Sequence, residues 1–429
     1  MEAPGIADLE PGTDLESQQI LLAAAQHNIP RLRALLRTGS ASAQDPKTGR
    51  TPLHAAIAAC DPSLPLARSN GQVNGHGING FTNGSNEDED SSTNSDVPSA
   101  VRTMKLLLEN GAIWNDVDKN NETPGCLALR LRLHELYAIM VDAGVRAEML
   151  LNRLDEYEVL SDESEREEEE HTREDSEIDH EARAPVEQVE DSQSEQQVQE
   201  AEVMKNSTSE PSSDDYLKST LSFQDEKILD ESRNGVMMAW ETNIMRRSAD
   251  LLVPTERLKI LNVGHGMGII DSIFQGKQPS AHHIIEAHPD VLAQMKKNGW
   301  YEKPNVTIHE GKWQDVVPKV MEQSILFDAI YFDTFAEDYK ALRDFFSDQI
   351  IGLLEDGGKW GFFNGLGADR QICYDVYGKV VEMDLFEAGF DTEWETIQVA
   401  ELANEEWKDV RRRYWVLKEY KLPICSFAG

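Results

Sequence analysis

The stretch Leu258-Lys259-Ile260-Leu261-Asn262-Val263-Gly264-His265-Gly266-Met267-Gly268 limits what the C-terminal half of this chain can become. An apolar run closed by three alternating glycines reads as a buried strand, a tight turn and the start of a helix. Such a turn lets backbone approach a ligand closely, and the first crevice of a doubly wound sheet is where nucleotides bind. The residues that follow keep the pattern. Apolar runs at 282–287, 305–310, 327–333 and 359–363 read as strands, and amphipathic segments such as 289–299 and 338–354 fit between them as helices. Strands alternating with helices at this spacing predict a mostly parallel sheet covered on both faces. Two further strands, expected near 392–399 and 411–421, would close it as an antiparallel hairpin and bring the sheet to seven.

Spacing narrows the ligand. Gly264, Gly266 and Gly268 form GxGxG, whereas a dinucleotide fingerprint wants its third glycine at 269, which is Ile269. The next strand ends in Glu286, 18 residues past Gly268, where an acid can accept hydrogen bonds from both ribose hydroxyls. Together these favour S-adenosylmethionine over NAD. The competing reading, Glu286 as a cap for the helix near Pro289, is compatible with either ligand. One departure stands out: methyltransferases usually carry an acid two residues before the first glycine, and here that residue is Asn262.

The rest of the chain is organised differently. Net charge is −37, and residues 161–215 concentrate it, with 21 acidic against 4 basic side chains. So acidic a chain disfavours nucleic acid or an anionic membrane as partner and suits a basic or weakly acidic one. Residues 154–215 are expected to be an acidic disordered linker, and 68–98, rich in Gly, Asn and Ser, a disordered loop in which His76 is solvated. Four separated cysteines give neither a zinc ribbon nor a disulfide framework. The N-terminus lacks a signal-peptide core and no run reaches membrane-span length, so a soluble protein of the cytoplasm and nucleus is expected. Over 15–153 the pattern is helical. Gly49-Arg50-Thr51-Pro52-Leu53-His54-Ala55-Ala56 resembles the ankyrin TPLHxA signature; Val101–Ala112 and Glu122–Ala128 are weaker copies. A generic helical bundle is the alternative.

Two more segments bear on chemistry: Gly235-Val236-Met237-Met238-Ala239-Trp240-Glu241, with Met245 one turn on, and Ile330-Tyr331-Phe332-Asp333-Thr334. With His265-Gly266-Met267, Ile285-Glu286-Ala287 and Gly311-Lys312-Trp313-Gln314-Asp315-Val316, they resemble guanidinoacetate methyltransferase in order and spacing over about 221–427. Ankyrin-like repeats attached to such a domain resemble the fungal type IV protein arginine methyltransferases, which methylate the internal (δ) guanidino nitrogen. The fold implied is a Rossmann-like class I methyltransferase domain over 216–429, preceded by an all-α ankyrin-like domain. The resemblance makes Glu241 and Asp333 the acids that hold the guanidinium, with Asp333 the proton acceptor and, being placed near the sulfonium, a cofactor-binding residue as well. It assigns His265, Gly266, Met267, Gly268, Ile269 and Ile270 to the methionine portion of the cofactor, after Gly264. Glu286, with Ala287 and His288 beside it, takes the ribose; Lys312 and Trp313 border the adenine; Phe223 and Met237 act as a lid. Trp313 as plain core remains open.

After the fifth strand the small-molecule enzyme has a Thr-Ser pair that grips its substrate's carboxylate. Here Asn364 is followed by Gly365-Leu366, which suits an arginine inside a polypeptide. The leading expectation is therefore a monomeric protein-arginine methyltransferase whose N-terminal domain recruits the substrate; the resemblance suggests a ribosomal protein. A methyltransferase for a small guanidino compound, and an inactive scaffold, are the alternatives.

Overall fold

A computed structural model describes residues 15–61, 63, 96–170 and 212–429, with backbone alone over 154–170. Most of the expected loop, His76 included, and most of the acidic stretch lie outside the described residues. The chain divides into two compact units, Met1–Met149 with Arg370–Val376, and Leu150–Asp369 with Tyr377–Gly429.

The first unit contains helices Leu15–Ala25, Ile29–Leu35, Pro52–Ala58, Val97–Glu109 and Pro124–Arg130, and the start of His134–Glu170. Two of the short helices begin with the same Thr-Pro device. Thr51 and Thr123 stand at the N-caps, accepting from the backbone N–H of His54 and Cys126, while proline fills the first helical turn, where no N–H is needed. His54 adds a longer tie. Its Nδ1 accepts from Thr51 N–H at 3.1 Å and its Nε2 donates to the Glu122 carbonyl at 2.9 Å, joining one Thr-Pro turn to the next. Burial holds its pKa below the ordinary histidine value, which keeps the neutral ring this geometry uses.

In the second unit seven strands form one sheet: β4 (Lys259–Val263), β5 (Ala281–Glu286), β6 (Val306–Glu310), β7 (Phe327–Phe332), β8 (Leu354–Phe362), β9 (Phe390–Gln398) and β10 (Glu419–Phe427). Their spatial order is β6-β5-β4-β7-β8-β10-β9, with β10 antiparallel to both neighbours and β4 to β8 parallel. The chain winds outward one way from β4 through β6 and the other way from β7, so a crevice opens between the carboxyl ends of β4 and β7. Register aligns those ends: Val263 pairs with Ile285 on one side and Phe332 on the other. Helix Pro289–Lys297 follows the β5 end; its cap is His288, whose Nδ1 accepts from Asp290 N–H.

Three expectations change. The last strand starts at Glu419, and the Tyr414-Trp415-Val416-Leu417 run expected within it belongs to the connection from β9. The segment 338–354 is broken: a helix over Tyr339–Asp344 gives way to wider and tighter turns before β8. The linker expected over 154–215 overlaps two helices. His134–Glu170 continues through its first residues, and Ser213–Lys218 packs Tyr216 against the second unit's core with Ile284, Val291, Met295 and Trp300. Ahead of the large sheet stands a small antiparallel one, order β1-β2-β3, made of β1 (Ser222–Phe223), β2 (Lys227–Leu229) and β3 (Gly235–Met238). Among the described residues no helix is long and apolar enough to cross a membrane.

Candidate active site

The crevice is built first by a close approach. Gly264 has φ +95°, and a Cβ there would come within 1.9 Å of the Asp333 carbonyl oxygen. Only glycine lets the chain leave β4 this tightly against the end of β7. Gly264 N–H donates to Ile285 carbonyl and Asp333 N–H to Val263 carbonyl, so three strand ends are stitched into one floor. Met237 of β3 covers the turn: its sulfur accepts from Met267 N–H at 3.2 Å, and a Cβ on Gly266 would strike its methyl group.

The resulting cleft encloses about 640 Å³, open mouth included. Of the residues singled out in the sequence, Met237, Gly264, Gly266, Glu286, Ala287, Lys312, Trp313 and Asp333 line it. The others stand back. Phe223 lies on β1, outside the cleft wall and 37% exposed; Ile270 is core; Gly268 caps helix Ile269–Gly276; Met267 packs partly buried against the core. His288 turns its Nε2 to the Tyr216 carbonyl. His265 contributes its backbone N–H, while its ring points away to Asp271 at 2.6 Å.

Glu286 is more heavily bonded than a free ribose acceptor. Oε1 accepts from Ala287 and His288 N–H at 2.8 and 2.7 Å; Oε2 accepts from His265 N–H at 2.9 Å and weakly from Gly266 N–H at 3.5 Å. The carboxylate therefore staples the glycine turn to the end of β5, and Oε2 keeps room for one hydroxyl donor.

Asn262 is explained by a residue the sequence did not flag. Asp271, fully buried, accepts from Asn262 Nδ2 (2.9 Å) and binds the rings of His265 (2.6 Å) and His282 (2.9 Å). Burial raises its carboxyl, but the His265 and His282 rings outweigh that and hold it at about 2. Asn262 also donates to the Gly264 carbonyl at 2.7 Å. An acid at 262 would face this carboxylate; an amide can donate to it.

Of the two candidate acids Asp333 lines the cleft, whereas Glu241 is not part of its lining. Glu241 ends the short turn Ala239–Glu241 between β3 and helix Thr242–Leu252, and is 4% exposed. Burial and the nearby Asp333 push its carboxyl up to about 8. Burial, helped by Asp271, raises Asp333 to about 7, and its Oδ2 is sealed from solvent without a hydrogen-bond partner. Two carboxyls with raised pKa values, one with an unfilled acceptor oxygen, are groups that a cation with several N–H donors could satisfy.

Sequence reasoning missed the other wall: Tyr216, Leu217, Phe335 and Glu337. Glu337 accepts from Trp313 Nε1 at 3.0 Å, and Lys312 reaches Asp214 at 2.6 Å. Trp313 is both core and wall, edge-on to Phe332 and Phe345 while facing the cleft. A local signal existed for the helix at 213, because Ser212 caps it through Asp215 N–H. Among the described residues no cluster of His, Cys, Asp and Glu could hold a metal ion.

The cleft suits S-adenosylmethionine: glycine turns leave space at the strand ends, Glu286 offers an acceptor, and Trp313, Tyr216 and Phe335 offer flat apolar faces. A glycine-turn crevice at the carboxyl ends of β4 and β7 in a mostly parallel seven-stranded sheet, with Glu286 and Asp333 in its wall, is the site of an S-adenosylmethionine-dependent methyltransferase. Consistent with this, residues 209–424 match the guanidinoacetate N-methyltransferase family model. Protein arginine N-methyltransferase 2 of Aspergillus fumigatus is 53% identical, the match covering 99% of each chain. The protein of the same name from Emericella nidulans is 53% identical over 97% of this chain and 98% of that one. Among solved structures, the N-methyltransferase NodS of Bradyrhizobium japonicum matches 44% of this chain and 97% of its own, at 14% identity and a TM-score of 0.32. The chain belongs to the protein arginine N-methyltransferase 2 family.

Proposed function

We propose that this enzyme methylates the internal (δ) guanidino nitrogen of an arginine in a folded or nascent protein, with the guanidinium held between Glu241 and Asp333. The observation that carries the reading is the pair of raised carboxyls: burial raises both Glu241 and Asp333, and Asp333 adds to the rise at Glu241. A guanidinium answers that need with planar, multiple N–H donors. The Gly365-Leu366 pair, in place of hydroxyls that would grip a free carboxylate, supports a polypeptide arginine over a small guanidino acid.

When bound, S-adenosylmethionine supplies an activated methyl group; Gly264, Gly266, Glu286, Trp313 and Lys312 are the residues that would hold it. A guanidinium nitrogen has no free lone pair, so a proton must leave as the new C–N bond forms. Asp333, raised to about 7 and carrying an unfilled Oδ2, takes that proton, and Glu241 keeps the opposite edge of the guanidinium fixed. Alignment of nucleophile and methyl group supplies much of the rate, and base assistance adds roughly 10²–10⁴-fold.

The paired Thr-Pro helices and the His54 bridge support an ankyrin-type N-terminal unit that recruits the substrate. A basic ribosomal protein as partner, a monomeric state, and residence in cytoplasm and nucleus complete the reading; the chain's charge of −37 suits such a partner.

The test is labelling of protein extract with isotopically labelled S-adenosylmethionine, followed by mass spectrometry of modified peptides. The reading expects one methyl on the δ nitrogen of arginine. Label on a terminal guanidino nitrogen overturns the δ assignment, and label on added guanidinoacetate alone overturns the protein substrate.

A further inference from the structure

We infer that Tyr414 is a positioning residue for methyl transfer, its hydroxyl holding Glu241 as a charged acceptor in one orientation. The inference rests on the assignment of Glu241 to the substrate made above. Tyr414 lies in the connection between β9 and β10, far in sequence from the glycine turn. Its O–H donates to Glu241 Oε1, and Trp240 Nε1–H donates to the tyrosine oxygen at 3.1 Å.

The direction of these bonds is fixed. An indole N–H can only donate, so the tyrosine oxygen accepts from Trp240 and its own proton goes to Glu241. Burial holds the phenol far above its ordinary pKa, so it never competes with Glu241 as an anion. The ring is clamped by Trp407, edge-on at 5.2 Å, and Trp240 at 6.0 Å. Room for it exists because residue 235 is glycine: a Cβ there would come within 2.9 Å of Tyr414 Cε1. A rigid donor is thus built onto Oε1 of Glu241.

The groups that face Glu241 are Tyr414 from the β9–β10 connection, Asp333 and Tyr331 from the end of β7, and the Met238 backbone on its own segment. Asp333 and burial favour the neutral acid, and Tyr414 opposes them. An aromatic ring kept only for packing would have no such effect, and phenylalanine would replace it silently.

Tyr414→Phe in the full chain separates these roles. Initial rates of label transfer from S-adenosylmethionine into protein extract, at subsaturating extract, are followed from about pH 6 to 10 beside cofactor binding by calorimetry. The expected result is unchanged cofactor affinity, a rate near neutral pH lower by roughly 10-fold or more, and an acid limb moved up by about one pH unit. The limb moves upward because Glu241 loses the donor that favours its ionised form. An acid limb that coincides with the parent's overturns the inference. Should Tyr414→Phe fail to fold, Trp240→Phe, which frees the tyrosine oxygen, must show a smaller shift in the same direction; no shift overturns the inference equally. If the parent enzyme labels no protein arginine, the functional reading fails instead.

Discussion

Glu241→Gln exchanges an acid for an amide of nearly the same shape, so it isolates the cost of keeping a charge at this place. The folded protein holds the Glu241 carboxyl near 8 against an ordinary value of 4.5. Between those values the folded state keeps a proton that the unfolded chain has released, so the parent loses stability as pH rises from about 4.5 to 8. At about 1.4 kcal/mol per unit, the charged form costs the parent roughly 1 kcal/mol at pH 5 and about 4 kcal/mol at pH 8. Glutamine carries no such cost and its carbonyl can still accept from Tyr414. The variant should therefore gain on the parent by about 3 kcal/mol between pH 5 and pH 8, roughly 6–12 °C in Tm for a unit of this size. Paired melting curves at the two pH values measure it. If parent and variant run parallel, Glu241 does not carry a raised pKa, and the acid pair is not the strained cation site argued here.

Two further substitutions probe the cofactor side. Glu286→Gln turns an amide N–H₂ toward backbone N–H donors at 2.7–2.9 Å, and calorimetry should show S-adenosylmethionine affinity reduced by at least about 10-fold; unchanged affinity removes Glu286 from the site. Asn262→Asp restores the acid usual in methyltransferases but sets it against Asp271, 2.9 Å from the present amide nitrogen. It should lower Tm by several degrees, and a gain in both Tm and cofactor affinity would show that Asp271 is not the reason for the asparagine.

Much of this fold could be read from residue pattern because its strands are buried on both faces: 258–264, 282–287 and 327–333 are runs that only a central strand uses. Asp333 stood out by its own position, an acid closing an apolar run at a strand end, whereas Glu241 stood out only through the family resemblance. What stayed hidden depends on contacts between distant segments. Asn262 departs from the usual acid because Asp271, in the first turn of the next helix, lies against it. Tyr414-Trp415-Val416-Leu417 has the composition of a strand, yet its rings are spent on Glu241, Trp240 and Tyr420, and β10 begins after it. Gly235–Met238 has methionines suited to a helix; pairing with β2 makes it a strand that lays Met237 over the glycine turn. Tyr216 sat at the end of an acidic stretch whose charge masked its one apolar anchor.

The central claim is that Asp333 accepts the guanidinium proton without holding the cofactor in place. Asp333→Asn, loaded with labelled S-adenosylmethionine and given protein extract, tests it most directly. The account predicts cofactor affinity within a few-fold of the parent by calorimetry and methyl transfer to arginine reduced by roughly 10²-fold or more. Transfer retained within a few-fold, at parental cofactor affinity, would contradict it.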